Sequence, residues 1–167
     1  MSGVLPLERQ LYDLLTSRQL TLATAESCTG GLIGHLVTTV PGSSVYYLGG
    51  VIAYSNELKQ VFLGVSARIL ETRGAVSQEC AEAMARGIRE RTGADIGLST
   101  TGIAGPTGAT LTKPVGLVYI ACATPRGVTC EEHRFQGDRL TTIRLAAEAA
   151  LRLTLQQAAG LELWDGR

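Results

Sequence analysis

Through its first hundred residues this chain alternates strand-like and helix-like hydrophobic patterns. That alternation restricts the architecture, because strands joined by helices form a largely parallel sheet with helices on its faces. Leu7, Leu11, Leu14 and Leu15 recur at helical spacing behind Pro6, so a helix is expected from Pro6 to about Arg18. A strand over 21–26 and a helix over 30–39 follow, then a turn at Pro41-Gly42-Ser43-Ser44. Val45–Tyr54 reads as a strand whose Gly49-Gly50 pair marks a bulge. Asn56 is the expected cap of a short helix running to about Leu63, and Ser66 caps another over 67–73. Ser77-Gln78-Glu79 opens a longer helix to Thr92, ended by Gly93. A strand from Ile96 runs into the loop Gly102–Gly108. Val115–Ala123 and Val128–Phe135 then form a hairpin about Pro125-Arg126-Gly127, and Asp138 caps a last helix, Arg139 to Ala158. The expectation is a single three-layer α/β/α domain with a mixed sheet, a size that 167 residues support.

The charge balance narrows the ligand classes. Fifteen basic residues offset fifteen acidic ones, so no broad electrostatic attraction to nucleic acid exists, and an anionic ligand must be held locally. The four cysteines lack metal-ligand spacing, no metal motif is present, and no apolar run reaches transmembrane length. The N-terminal residues lack signal-peptide character, so a reduced, cytoplasmic protein free of membrane is expected.

The candidate chemistry lies where the first strand gives way to a helix, at Ala25-Glu26-Ser27-Cys28-Thr29-Gly30-Gly31. A helix N-terminus offers unpaired N–H groups to a phosphate or an oxyanion, and glycines let backbone approach a ligand. The same residues also read as an ordinary helix cap. Gly102–Gly108 is a second glycine-rich loop behind a strand, and two such loops suggest a shared pocket. Ser27 is the leading nucleophile candidate, with Cys28 beside it, and the residues alone leave the two open. A serine needs a base, yet His35 and His133, the only histidines, sit in no Ser-His-Asp pattern. Of two lysines, Lys59 follows the polar group Tyr54-Ser55-Asn56, and a buried lysine can lose its proton near neutrality. Arg139 and Arg144, near the start of the last helix, can grip a phosphate or carboxylate or can simply face solvent. The P-loop and dinucleotide-binding glycine signatures are absent.

Six motifs occur together: Ala25–Gly31, Tyr54-Ser55-Asn56-x-x-Lys59, Gly74-Ala75-Val76-Ser77, Thr101–Pro106, Lys113-Pro114-Val115-Gly116 and Phe135-x-Gly137-Asp138-Arg139. In this order and spacing the chain resembles the CinA C-terminal domain family, the nicotinamide-mononucleotide amidohydrolases. The resemblance spans about residues 8–158 and leaves 159–167 as a C-terminal tail. It implies a stand-alone homodimeric deamidase, free of metal and cofactor, that converts nicotinamide mononucleotide to nicotinic acid mononucleotide and ammonia. Larger relatives carry an N-terminal molybdopterin-binding-like domain that this chain is too short to hold. By position, the resemblance makes Ser27 the nucleophile, Lys59 its base and Tyr54 an aid to orientation or proton transfer. It places Cys28, Thr29, Gly30, Gly31, Asn56, Thr101 and Gly102 around the substrate, and gives Arg139 and Arg144 the phosphate. Thr107 departs from the acidic residue some relatives carry after Gly-Pro. Rival readings are a non-catalytic nucleotide-binding module and a scaffold subunit, the latter using the apolar tail Leu161–Trp164.

Overall fold

The computed structural model describes residues 3–161. Five strands, β1 (Leu22–Glu26), β2 (Tyr47–Ile52), β3 (Ile96–Gly102), β4 (Leu117–Thr124) and β5 (Gly127–Arg134), form one sheet in the order β2-β1-β3-β4-β5. Both neighbours of β1 run parallel to it, while β4 and β5 run antiparallel to their neighbours, so the sheet is mixed. Helices α1 (Leu7–Arg18), α2 (Leu32–Thr38) and α6 (Arg139–Ala159) cover one face. Helices α3 (Asn56–Leu63), α4 (Ala67–Thr72) and α5 (Gln78–Thr92) occupy the other. This is the three-layer α/β/α arrangement expected from the alternating patterns.

Period-two alternation assigns each strand residue to a face. Leu22, Ile96, Leu98, Val118 and Ile120 meet Leu11, Leu15, Ala146, Ala150 and Leu151 in the larger core, under α1 and α6. Ala23 and Ala25 point the other way, toward Leu63, Cys80, Met84 and Ile88. On that side Ala81 and Ala85 of α5 lie against Ala121 and Ala123 of β4, small residue on small residue, which lets the helix sit close to the sheet.

Several boundaries shift for local reasons. Pro6 is extended, with ψ of 147°, and caps α1 from outside instead of opening it. Ser43–Val45 forms a 3-10 turn, so β2 starts at Tyr47, and the register with β1 slips at Leu48, next to Gly49, as the glycine pair suggested. Ser55 caps α3, its Oγ accepting from Leu58 N–H at 3.2 Å, and Asn56 is already helical. Gly116 has a φ of 92°, outside the extended region of an L-residue, and β4 begins after it at Leu117. Ser66, Ser77, Gly93 and Asp138 take their expected terminal positions. Leu161 is buried, and its carbonyl accepts from the Arg18 guanidinium; the rest of the tail, including Trp164, lies outside the described residues.

The topology selects one edge of the sheet. From β1 the chain passes through α2 to β2 on one side, then returns through α3, α4 and α5 to β3 on the other side of β1. Such a reversal opens a crevice at the carboxyl ends of the parallel strands. Glu26 is level with both Ile52 and Thr100, so β1, β2 and β3 end together at that crevice.

Candidate active site

Ser27 is the first residue beyond β1. The alternation that turns Ala23 and Ala25 toward α5 carries its side chain to the same face, while Cys28 joins the core on the α1–α6 face. The strand end is clamped on both sides. Ser27 N–H donates to Thr100 O at 3.0 Å, and Ala53 N–H donates to Glu26 O at 2.9 Å.

Opposite Ser27 stands Lys59, in the second turn of α3. The Ser55 cap fixes where that helix starts, and Lys59 and Leu63, one turn apart, form its buried edge. Gly87 of α5 lets the two helices meet, since a Cβ there would overlap the Leu63 carbonyl. Lys59 is 1% exposed, and its Nζ lies 3.0 Å from Ser27 Oγ and 3.1 Å from Tyr54 O. Burial lowers the lysine's pKa from its ordinary 10.5, because the ammonium loses hydration. Ionised Cys80 and Cys28 would pull it back up. Desolvation pushes those two thiols to about 11 and about 12 respectively, so both stay neutral near pH 7 and the burial effect prevails. The same desolvation makes Cys28 a poor thiolate source. Of the two, Ser27 is the one hydrogen-bonded to Lys59 Nζ.

The dyad opens into a cavity of about 310 Å³ between the two glycine-rich loops, as their pairing suggested. Of the expected site residues, Cys28, Tyr54, Asn56, Thr101, Gly102 and Arg139 line it along with Ser27 and Lys59. Their roles are specific. The Tyr54 carbonyl holds the lysine, while its hydroxyl, on a residue 60% exposed, accepts from Arg139 Nη2 at 3.1 Å. Arg139 also donates from Nη1 to Gly105 O at 2.8 Å, so a guanidinium at the start of α6 is pinned at the cavity wall. The Thr101 hydroxyl is already committed to Ala75 O at 2.7 Å and anchors the segment before α5. Ala75, Val76 and Ile103–Gly105 also line the cavity, a contribution sequence reasoning did not assign. The motifs containing them were the available signal.

Other expected site residues lie elsewhere. Arg144 pairs with Glu148 at 2.9 Å and borders a separate apolar groove of about 590 Å³ beside Leu5, Leu32 and Leu151. Five residues along an α-helix amount to about 140° of rotation, which turns it away from Arg139. Thr29, Gly30 and Gly31 do not line the cavity. Thr29 is buried, Gly30 N–H is taken by Ser27 O at 3.1 Å, and Gly31 is the left-handed cap of α2. The α2 N-terminus is not offered to a ligand either. The Glu26 carboxylate accepts from Ile33 N–H at 2.9 Å and Gly34 N–H at 3.0 Å, filling the position an anion would take. The N–H groups of Cys28 and Thr29, by contrast, have no partner outside their own residue among the described residues.

Comparison with known proteins fits this arrangement to a family. Residues 4–158 match the CinA C-terminal domain. The chain belongs to that family. A CinA-like protein of Desulfotalea psychrophila is 56% identical over 137 residues, covering 82% of this chain and 33% of that protein. A putative competence-damage inducible protein of Moorella thermoacetica is 52% identical over 147 residues, 88% of this chain and 36% of its own. This CinA domain therefore spans about a third of the length of the curated relatives it matches. Among solved structures, a CinA superfamily protein from Klebsiella pneumoniae 700603 superposes with a TM-score of 0.90 at 32% identity, over 93% of this chain and 97% of that one. The competence/damage inducible protein CihA of Agrobacterium tumefaciens gives 0.85 at 36% identity, over 92% and 98%.

Proposed function

We propose that this CinA domain is an amidohydrolase that cleaves the carboxamide of nicotinamide mononucleotide, releasing ammonia and nicotinic acid mononucleotide. The observation that carries the reading is the 3.0 Å approach of a buried, pKa-lowered lysine to a serine at the rim of a cavity. Neutral Lys59 Nζ takes the Ser27 proton as Oγ attacks the carboxamide carbon. The Cys28 N–H, at the cavity and without a partner outside its own residue, receives the oxyanion, and Gly30 N–H, bonded to Ser27 O, does not. The Lys59 ammonium then protonates the departing nitrogen, the C–N bond breaks, and ammonia leaves an acyl ester on Ser27. Water attacks the ester while Lys59 accepts its proton. The carboxylate product departs as that proton returns to Ser27 Oγ.

Arg139 is the group suited to the nucleotide phosphate, and its two existing hydrogen bonds hold the guanidinium in place before substrate arrives. Arg144 has no part in this reading. The experiment is ammonia release by the wild type and Ser27→Ala on nicotinamide mononucleotide, free nicotinamide and simple amides. The reading requires turnover that prefers the nucleotide and disappears in the variant. Binding without ammonia release would instead favour a non-catalytic nucleotide module. A homodimer forms part of the same proposal, and light-scattering mass in solution tests it.

A further inference from the structure

Among the described residues Glu26 is the one buried carboxylate, next to Ser27 in the chain, and the mechanism above gives it no step. It is 3% exposed. Its Oε1 accepts from Thr29 Oγ1 at 2.7 Å and Ile33 N–H at 2.9 Å, and its Oε2 from Gly34 N–H at 3.0 Å. Among the described residues it has no cationic partner. An ionised carboxylate only accepts, so the single Thr29 hydroxyl proton points at Glu26. The 2.7 Å contact between Thr29 Oγ1 and Thr100 Oγ1 must then be donated by Thr100. A directed chain results, from Thr100 O–H to Thr29 O–H to the Glu26 carboxylate. Thr100 also accepts Ser27 N–H, so the same residue clamps the turn from backbone and side chain.

The main-chain oxygen of Glu26 acts in the other direction. It accepts from Ala53 N–H, and the next residue, Tyr54, provides the carbonyl that holds Lys59 Nζ. Nucleophile and base are therefore referred to one residue, the turn through its carboxylate and the lysine through its carbonyl. We propose that Glu26 is a positioning residue: its carboxylate fixes the Ser27–Gly31 turn so that Ser27 Oγ faces Lys59 and the Cys28 N–H stays free for the oxyanion. This rests on the Ser27–Lys59 reading and not on the identity of the amide.

The test uses Glu26→Gln and Thr29→Val. Glutamine keeps the shape, yet its NH₂ must face Gly34 N–H or the Thr29 and Ile33 donors, so the turn shifts. Valine removes the hydroxyl that joins Thr100 to Glu26, losing both of its contacts, and leaves the carboxylate bonded to Ile33 and Gly34 N–H so that α2 stays capped. The readout is the rate at which a small fluorophosphonate phosphonylates Ser27, well below each protein's melting point, with kcat and KM for ammonia release beside it. A displacement of the reacting atoms by about 1 Å costs on the order of a hundredfold in rate. Labelling and kcat should fall by about that factor in Glu26→Gln and about tenfold in Thr29→Val, with KM within about twofold. The labelling pH profile keeps its inflection, which belongs to Lys59, and loses plateau height. Should Glu26→Gln fold poorly, Thr29→Val carries the test. Variants that melt earlier yet label at the wild-type rate overturn the proposal, as does a wild type whose Ser27 never labels. A wild type that labels but releases no ammonia refutes the substrate and leaves the labelling comparison to decide Glu26.

Discussion

Replacing Lys59 by methionine separates what the lysine does for chemistry from what it costs the fold. Methionine has similar length, so the packing against Leu63 survives and the amine alone is removed. Two hydrogen bonds go, to Ser27 Oγ and Tyr54 O, each worth about 1 kcal/mol. Both acceptors border the cavity, where water replaces the lost donor. Against this, the wild type carries the cost of holding a lysine whose charged form burial disfavours. The sign follows from proton binding. With the folded pKa below the unfolded 10.5, the unfolded chain holds more protons between those values, so wild-type stability rises with pH across that window and is flat below it. Lys59→Met lacks this dependence. Its stability relative to wild type should be greatest at and below the folded pKa of Lys59. It should then decline toward pH 10.5 by up to about 1.4 kcal/mol per pH unit. For a chain of this size that is about 2–4 °C of Tm per kcal/mol. Denaturant titrations of both proteins at several pH values measure the difference directly. Ammonia release, which in the wild type should rise with pH through the same folded pKa, should fall by at least about 10²–10⁴ in the variant. A stability difference independent of pH would refute the argument for a depressed lysine, and turnover within tenfold of wild type would refute the base.

Other substitutions probe the surrounding parts. Arg139→Leu removes the pinned guanidinium and should raise KM for the nucleotide about 10- to 100-fold, the value of a charge-assisted contact, while turnover of a small uncharged amide stays unchanged. Arg144→Ala should leave activity intact and stability within about 0.5 kcal/mol, because its exposed pair with Glu148 contributes little; a raised KM would return Arg144 to the substrate. Gly87→Ala drives a methyl into the Leu63 carbonyl and must push α3 outward. A loss of about 1–3 kcal/mol in chemical denaturation should accompany lower activity, since α3 carries Lys59; full activity with lower stability would separate helix position from the dyad.

The fold was legible because hydrophobic period changes with element type, and the serine and glycine punctuation of α4 and α5 falls where the backbone needs it. The dyad was legible only in part. Which of Ser27 and Cys28 faces Lys59 depends on strand parity, and parity is fixed once Ala23 and Ala25 are known to face α5. Arg144 falls outside the cavity that Arg139 lines because proximity along a helix is not proximity around it. Glu26 was hidden for a different reason. A carboxylate before a helix reads as a solvated charge, and its burial depends on α2 folding back over the end of β1, which no local pattern records.

That fold-back settles how the site divides its charges. A helix N-terminus at a strand end ordinarily draws the substrate's negative charge, yet here a protein carboxylate already fills it. In the proposed reaction the oxyanion is left to the Cys28 N–H in the turn, and substrate charge to Arg139 on a different helix. The guanidinium, held by Tyr54 Oη and Gly105 O, is not among the groups that perturb Lys59. A guanidinium next to Lys59 would lower the lysine's pKa further, and a carboxylate there would raise it and stop it acting as a base near neutrality. The lysine instead sees neutral thiols, a carbonyl and a hydroxyl, so its proton affinity is set mainly by burial. Placing an acid within reach, as in Val76→Asp at the cavity wall, should therefore shift the pH–activity inflection upward without altering the Ser27–Lys59 contact. An unchanged inflection would show that the profile reports some group other than Lys59.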